Sequence, residues 1–274
     1  MMRWILDCLE VARQSVSLQI RTTIVRLLAL GCLLAPAAFV ALAHRAAPEM
    51  TGESFFGVVA YMVLLQFGLP ATVLYLGVTV MHGDLQDRTA TYLFVRPVHR
   101  SSLLVGKCLA VTVLCWCGAA LALCAFWLGL DSAGLAWRLG AGPGSELLWA
   151  FVLAAGMVAA AYTCVVACLS AAVKRPLVIG AVFVVGWEFM VALSSPTAGM
   201  RAVSVLDPVR SWLVRSLQPG GELAELLSAG AVLTPDGDAG LGSPLWSLGR
   251  FMALALLLGL WLYTRREYDA RASE

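Results

Sequence analysis

Charge is what this sequence has least of. Only 13% of its 274 residues are Asp, Glu, Lys or Arg, where a soluble globular domain carries about 25%. Hydrophobic residues make up 60%, and mean hydropathy is +0.84. Such a chain cannot cover a water-facing surface, which excludes an ordinary soluble enzyme or binding domain and indicates a polytopic membrane protein. A net charge of +2 gives no basis for nucleic-acid binding, and no nucleic-acid partner is expected.

Histidine is scarce too. The three, His44, His82 and His99, all stand at the ends of apolar runs, so the paired intramembrane histidines of a haem protein are missing. No G-x-S-x-G occurs, and no Ser–His or Asp–Asp constellation lies within an apolar run, which removes an intramembrane hydrolase. Gly106-Lys107-Cys108 lacks both the upstream glycine (Ser101 stands there) and the Ser/Thr of a phosphate-binding loop. Asp236-x-Asp238 starts like a calcium loop, but the remaining ligands are absent. The eight cysteines fall in apolar runs or in segments assigned to the cytosol, so they read as small helix residues rather than a disulfide framework. The nine methionines are dispersed and trace no copper path. No catalytic residue, metal or cofactor is expected in this chain, and Met1–Arg21 lacks the compact apolar core of a cleavable signal.

What is present is long apolar runs. A spanning helix needs about 20 apolar residues to cross about 30 Å of hydrocarbon. Six runs qualify: Ile24–Ala43, Phe55–Met81, Leu103–Leu130, Leu147–Val173, Leu177–Ser195 and Ser247–Tyr263. The expected fold is all-α, with six transmembrane helices in one domain covering 1–274. With the N-terminus inside, thirteen of the 19 Lys and Arg residues lie on the inner side and six on the outer. Both termini are therefore expected in the cytosol, with the tail at 264–274, in a cell (inner) membrane.

Ahead of the first run, residues 1–22 form an amphipathic pattern. Asp7, Glu10, Gln14, Ser17 and Arg21 share one face, and Ile5, Leu9, Ala12, Val16 and Ile20 another. The pattern suits a helix lying in the inner interface, anchored by Trp4, or a cytosolic extension of the first span. In the second run Gly68 and Pro70 predict a kink beside Gln66, because proline removes a helical hydrogen bond. The fourth run is rich in alanine, which lets helices approach closely in lipid. Lys174-Arg175-Pro176 forces an antiparallel turn into the fifth run. That run holds Glu188, about 18 Å deep at about 1.5 Å per residue. An intramembrane carboxylate is either functional or a hydrogen-bonded structural group, and sequence leaves both open. Gln66, Pro70 and Glu188 are the candidate pathway residues. Glu188 stands alone, and no internal repeat is evident, which argues against a secondary transporter. In the outer segment, 196–246, Asp207-Pro208 is expected to start a short surface helix with Val209, Trp212, Leu213 and Leu217 as its apolar stripe. Residues 222–227 are a second candidate, and 234–244 a loop.

The remaining charge concentrates between the second and third runs, in DLQDRTATYLFVRPVHRSSLLVGK from Asp84 to Lys107. Gly83 is expected to end the second span. Asp84 is expected to cap a new helix, with Asp87 in its first turn. Pro97 stops that helix near residue 95, giving a short cytosolic helix over 84–95 that exposes one side to a partner.

Arg88-Thr89, Tyr92-Leu93, Arg96-Pro97-Val98, Arg100 and Gly106-Lys107 together resemble the permeases of type-2 ABC exporters. Six spans, an amphipathic N-terminal helix and a larger last outer loop fit the same family. The resemblance implies that the 84–95 segment is a coupling helix docking in a cytosolic ATP-hydrolysing subunit. Asp84, Leu85, Asp87, Arg88, Thr89, Tyr92, Leu93, Phe94, Arg96 and Arg100 would form that contact. It further implies a second permease copy or homologue, ATP and Mg held by the partner ATPase, membrane lipid around the spans, and export of a substrate the sequence does not name. A non-transporting anchor or sensor of such a complex is the alternative.

Overall fold

The computed structural model describes residues 2–22, 52–86, 100–132, 144–188, 204–217 and 244–265, with further positions at 25, 30–31, 34–35, 38–41, 190, 223 and 227. Among these residues every regular element is helical. This is the outcome for a chain that must satisfy its backbone hydrogen bonds internally.

Helix α1 is Met2–Arg21. The Thr22 hydroxyl donates to the Gln19 carbonyl at 2.7 Å and accepts the Val25 N–H at 3.5 Å, closing α1 and capping the next helical turn. Helix α2 is a continuous run over 52–86, built from Gly52–Val59, a π-helical segment Ala60–Gly68, and Leu69–Gln86. Helix α3 is Arg100–Ser132 and α4 is Ser145–Ala172. Helix α5 comprises Pro176–Ala181 and a second π segment, Val182–Trp187. Helices α6 and α7 are Leu206–Leu217 and Pro244–Arg265.

Among the described residues, four stretches are long and apolar enough to cross a membrane: Phe55–Met81, Ser101–Ser132, Ser145–Ala172 and Pro244–Arg265. They coincide with four of the six expected spans. The fifth expected span is helical over 176–188, and the first lies outside the described residues except for its helical positions between 25 and 41. The last span starts at Pro244, absorbing the end of the expected loop, since proline fits a first helical turn.

Helix α4 is the hub, touching α2, α3, α5, α6 and α7. Its small residues allow this: Ala154, Ala155, Ala159, Ala161 and Ala167 are completely buried. Gly156 sits under the Trp116 indole, whose Nε1 donates to the Val152 carbonyl at 2.9 Å. A Cβ on Gly259 would come within 3.2 Å of Cys168 backbone atoms, so α7 lies directly on α4. Ala172 and Pro176 bracket the predicted tight turn, and α4 and α5 pack as neighbours.

Helix α1 packs along the start of α3. Trp4 Nε1 donates to Ser101 Oγ at 3.1 Å. A Cβ on Gly106 would fall 2.7 Å from the Cys8 carbonyl oxygen and 2.8 Å from Val11 Cβ. Trp4, expected as a membrane anchor, is thus tied to its own chain. Cys8 is buried, while Ile5, Leu9 and Ile20 of the apolar stripe are exposed and its Ala12 and Val16 are half-buried.

Candidate functional site

Two places drew attention in the sequence: the polar residues within the spans and the charged segment between α2 and α3. The structure builds the first from both π segments. Gln66 is buried inside Ala60–Gly68, and Glu188 comes directly after Val182–Trp187. At the ends of these segments Leu69 N–H bonds the Leu64 carbonyl, and Glu188 N–H bonds that of Phe183, in the i→i+5 pattern. The first segment explains how α2 accommodates Pro70. Proline has no N–H and its ring presses on the carbonyl four residues back, and the wider π turn lies immediately before it. Pro70 itself is buried.

Glu188 is 2% exposed and its carboxylate is fully engaged. Ser204 Oγ donates to Oε2 at 2.7 Å, and Val205 N–H donates to Oε1 at 2.8 Å. These residues lead into α6. Ser204 Oγ also accepts the Asp207 N–H at 3.2 Å, so Ser204, rather than the expected Asp207, caps the helix. Asp207 then falls in the first turn, where negative charge suits the helix dipole. The Glu188 carboxyl adds a second hydrogen-bond acceptor at the same terminus.

Three more side chains close around this junction. Tyr61, on the first π segment, is buried within electrostatic reach of Arg210, Glu188 and Asp207. Tyr162 of α4 is buried beside the Glu188 carboxylate, but its hydroxyl closes no hydrogen bond of normal geometry. Arg210 of α6 is buried, and its Nε donates to the Leu227 carbonyl. Helices α2, α4, α5 and α6 therefore meet in one buried polar node, with Val209 and Leu213 sealing it as the predicted apolar stripe. The node offers hydrogen bonds and opposed charges that hold elements together. Sequence reading selects only Glu188 from it. The Ser204-x-x-Asp207 signature ahead of an apolar stripe would have placed the cap, whereas nothing in sequence marks Tyr61, Tyr162 or Arg210 as its neighbours.

The second place is described only at its ends. Asp84 and Leu85 belong to α2, which continues through Gly83 to Gln86. This corrects the expectation that Gly83 stops the span and Asp84 caps a new helix. Glycine weakens a helix by about 1 kcal/mol relative to alanine, too little to break one that is otherwise continuous. Arg100 opens α3. Asp87, Arg88, Thr89, Tyr92, Leu93, Phe94 and Arg96 lie outside the described residues. Gln86 and Arg100 bracket the segment with the ends of two long helices, and α1 is fastened to Ser101, one residue beyond it.

No curated protein matches the chain. Residues 20–187, about three fifths of the 274, match the family model described as ABC-2 family transporter protein. The match takes in α2 to α4 and α5 as far as the end of its π segment, with Tyr61 and Tyr162, and stops one residue before Glu188. This multi-pass helical membrane protein therefore belongs to the ABC-2 transporter family, as an ABC transporter permease.

Proposed function

We propose that the chain is the permease subunit of an ABC exporter, driven by ATP that a separate cytosolic subunit hydrolyses. In this reading six spans cross the cell membrane, both termini face the cytosol, and a second permease copy or homologue completes the conduit. ATP and Mg belong to the partner. The coupling contact is the 84–100 segment, with Arg88, Tyr92, Leu93, Phe94 and Arg96 at its centre. The observation that carries the reading is how that segment is mounted. Its ends are α2, over 52–86, and the 33-residue α3, both continuous with membrane-crossing stretches, and α1 braces α3 where the segment ends. A push on the segment would be passed into rigid rods rather than absorbed.

The exposed side chains of Ile5, Leu9 and Ile20 suit an α1 that lies in the inner interface while its other face grips α3. Glu188 supports a structural part: it moors the start of α6 to the end of α5. Gln66, buried in the π segment, remains the candidate for lining the pathway.

The test is co-purification of the full chain with its ATPase after Leu93→Glu and Phe94→Glu. Loss of the ATPase together with transport-coupled hydrolysis is expected. Retained binding and retained transport would refute the coupling assignment. Labelling of cysteines placed at 88 and 92 from the outside of intact cells would refute the topology.

A further inference from the structure

A cavity of about 490 Å³ lies between α2, α3 and the helical positions of the 25–41 stretch. On α3 its lining runs from Leu114 to Phe126, on α2 from Val59 to Leu76, and on the preceding stretch from Val25 to Phe39. At about 1.5 Å per helical residue those lengths are about 18, 26 and 21 Å, within the roughly 30 Å of a bilayer's hydrocarbon. The cavity is thus a narrow slot parallel to the membrane-crossing helices. One end is closed by rings: Phe126 stacks on Phe56 with centroids 5.3 Å apart and meets Phe39 edge-on at 6.3 Å.

The described lining of the slot offers almost nothing polar. Among the described lining residues only Thr72 and Cys115 carry a hydroxyl or thiol. The Thr72 hydroxyl is turned back on its own helix, donating to the carbonyls of Gly68 and Leu69 at 3.0 and 2.8 Å. Ordered water needs two to four polar partners, and an empty void forfeits the dispersion contacts of its walls. The walls are also cut back by glycine: a Cβ added to Gly31 or Gly118 would meet nothing within 4 Å. Elsewhere in the bundle, as at Gly156 and Gly259, a glycine marks a place where another chain segment fills the space. At Gly31 and Gly118 no described protein atom does.

We propose that this slot binds one acyl chain of a bilayer phospholipid, held between α2 and α3 with its headgroup outside the slot. Its length, depth and lack of polar groups match a single hydrocarbon chain better than a compact polar solute. Acyl chains are also the medium that surrounds any membrane-crossing helix. The same two helices, α2 and α3, flank the 87–99 segment. The proposal rests on the membrane-embedded fold and not on the coupling assignment.

The experiment uses the full chain in nanodiscs of phosphatidylcholine doped with a phosphatidylcholine that carries a mid-chain diazirine. After illumination, adducts are mapped by peptide mass spectrometry. Adducts are expected to concentrate on 114–126 and 59–76 above the level on the exposed face of α7 at Leu254, Leu257 and Trp261. Gly118→Phe should reduce slot adducts several-fold, leaving α7 adducts and the thermal midpoint unchanged, and Gly31→Leu should do the same from the opposite wall. Even labelling across slot and α7, or slot labelling unaffected by either variant in folded protein, would overturn the proposal. Under oxidation, a disulfide joining two copies through a cysteine placed at 118 would do so too, because the occupant would then be a second chain.

Discussion

The two flanks of this bundle solve opposite problems. Where α4 meets α5, α6 and α7, the helices close on one another and the polar groups are gathered into one node. Between α2, α3 and the 25–41 stretch, the walls are apolar and the space is left open. Glycine shows the difference most clearly. Gly259 is small because the Cys168 backbone is already there, whereas Gly118 is small with nothing opposite it among the described residues. In lipid, close helix contact needs small residues, but a small residue alone does not establish contact. The closed flank behaves as a fixed joint and the open one as a place where the bilayer takes part in the structure.

The contrast can be broken most forcefully at the joint. Glu188→Ala leaves the Ser204 hydroxyl and the Val205 N–H buried without their acceptor. At about 1–3 kcal/mol per orphaned group the loss should be about 2–6 kcal/mol. It would be read as a lower thermal midpoint in detergent and faster tryptic cleavage at Arg210 and Arg215. Glu188→Gln retains one acceptor oxygen and should lose clearly less. An unchanged midpoint for the alanine variant would mean that α6 is held by its apolar stripe alone.

Gly259→Leu comes next. Overpacking a tight contact costs about 1–3 kcal/mol, and the obstacle here is backbone that cannot rotate away. Disulfide trapping between cysteines placed on α4 and α7 should slow accordingly. Trp4→Phe removes one hydrogen bond, to Ser101, and should cost about 1 kcal/mol. It would be seen as faster amide exchange along α1 with α4 unaffected. Smallest of all, Gly118→Ala should leave the thermal midpoint unchanged or raise it, because alanine is favoured over glycine in a helix by up to about 1 kcal/mol. A marked loss there would show that the slot is filled by protein after all, and the contrast between the flanks would disappear.

Much of the architecture was legible because the membrane leaves the backbone so little choice. Four apolar runs became helices long and apolar enough to cross a membrane, close to their expected bounds, and Lys174-Arg175-Pro176 turned as its proline requires. The π segments were not legible. They differ from α-helix only in which carbonyl each N–H reaches, and a uniformly apolar run gives no periodicity from which to read that. Glu188 could be found as an oddity but not interpreted, because its hydroxyl donor lies 16 residues further along the chain. Gly83 misled for a simpler reason: a weak helix former was taken as a stop, and the continuous helix overrode it. The charged segment was picked out from its residue types and falls within the family match over 20–187, but its residues 87–99 lie outside the described ones.

The bond from Trp4 to Ser101 joins residues 97 positions apart, and this sets a schedule for biogenesis. When the first turns of α1 leave the ribosome, the groove beside Gly106 that receives them has not been synthesised. At about 5–20 residues per second, the N-terminus waits about 5–20 s for its dock. During that interval its apolar side chains have only chaperone or membrane surface to rest on. Seating α1 therefore comes well after its own synthesis.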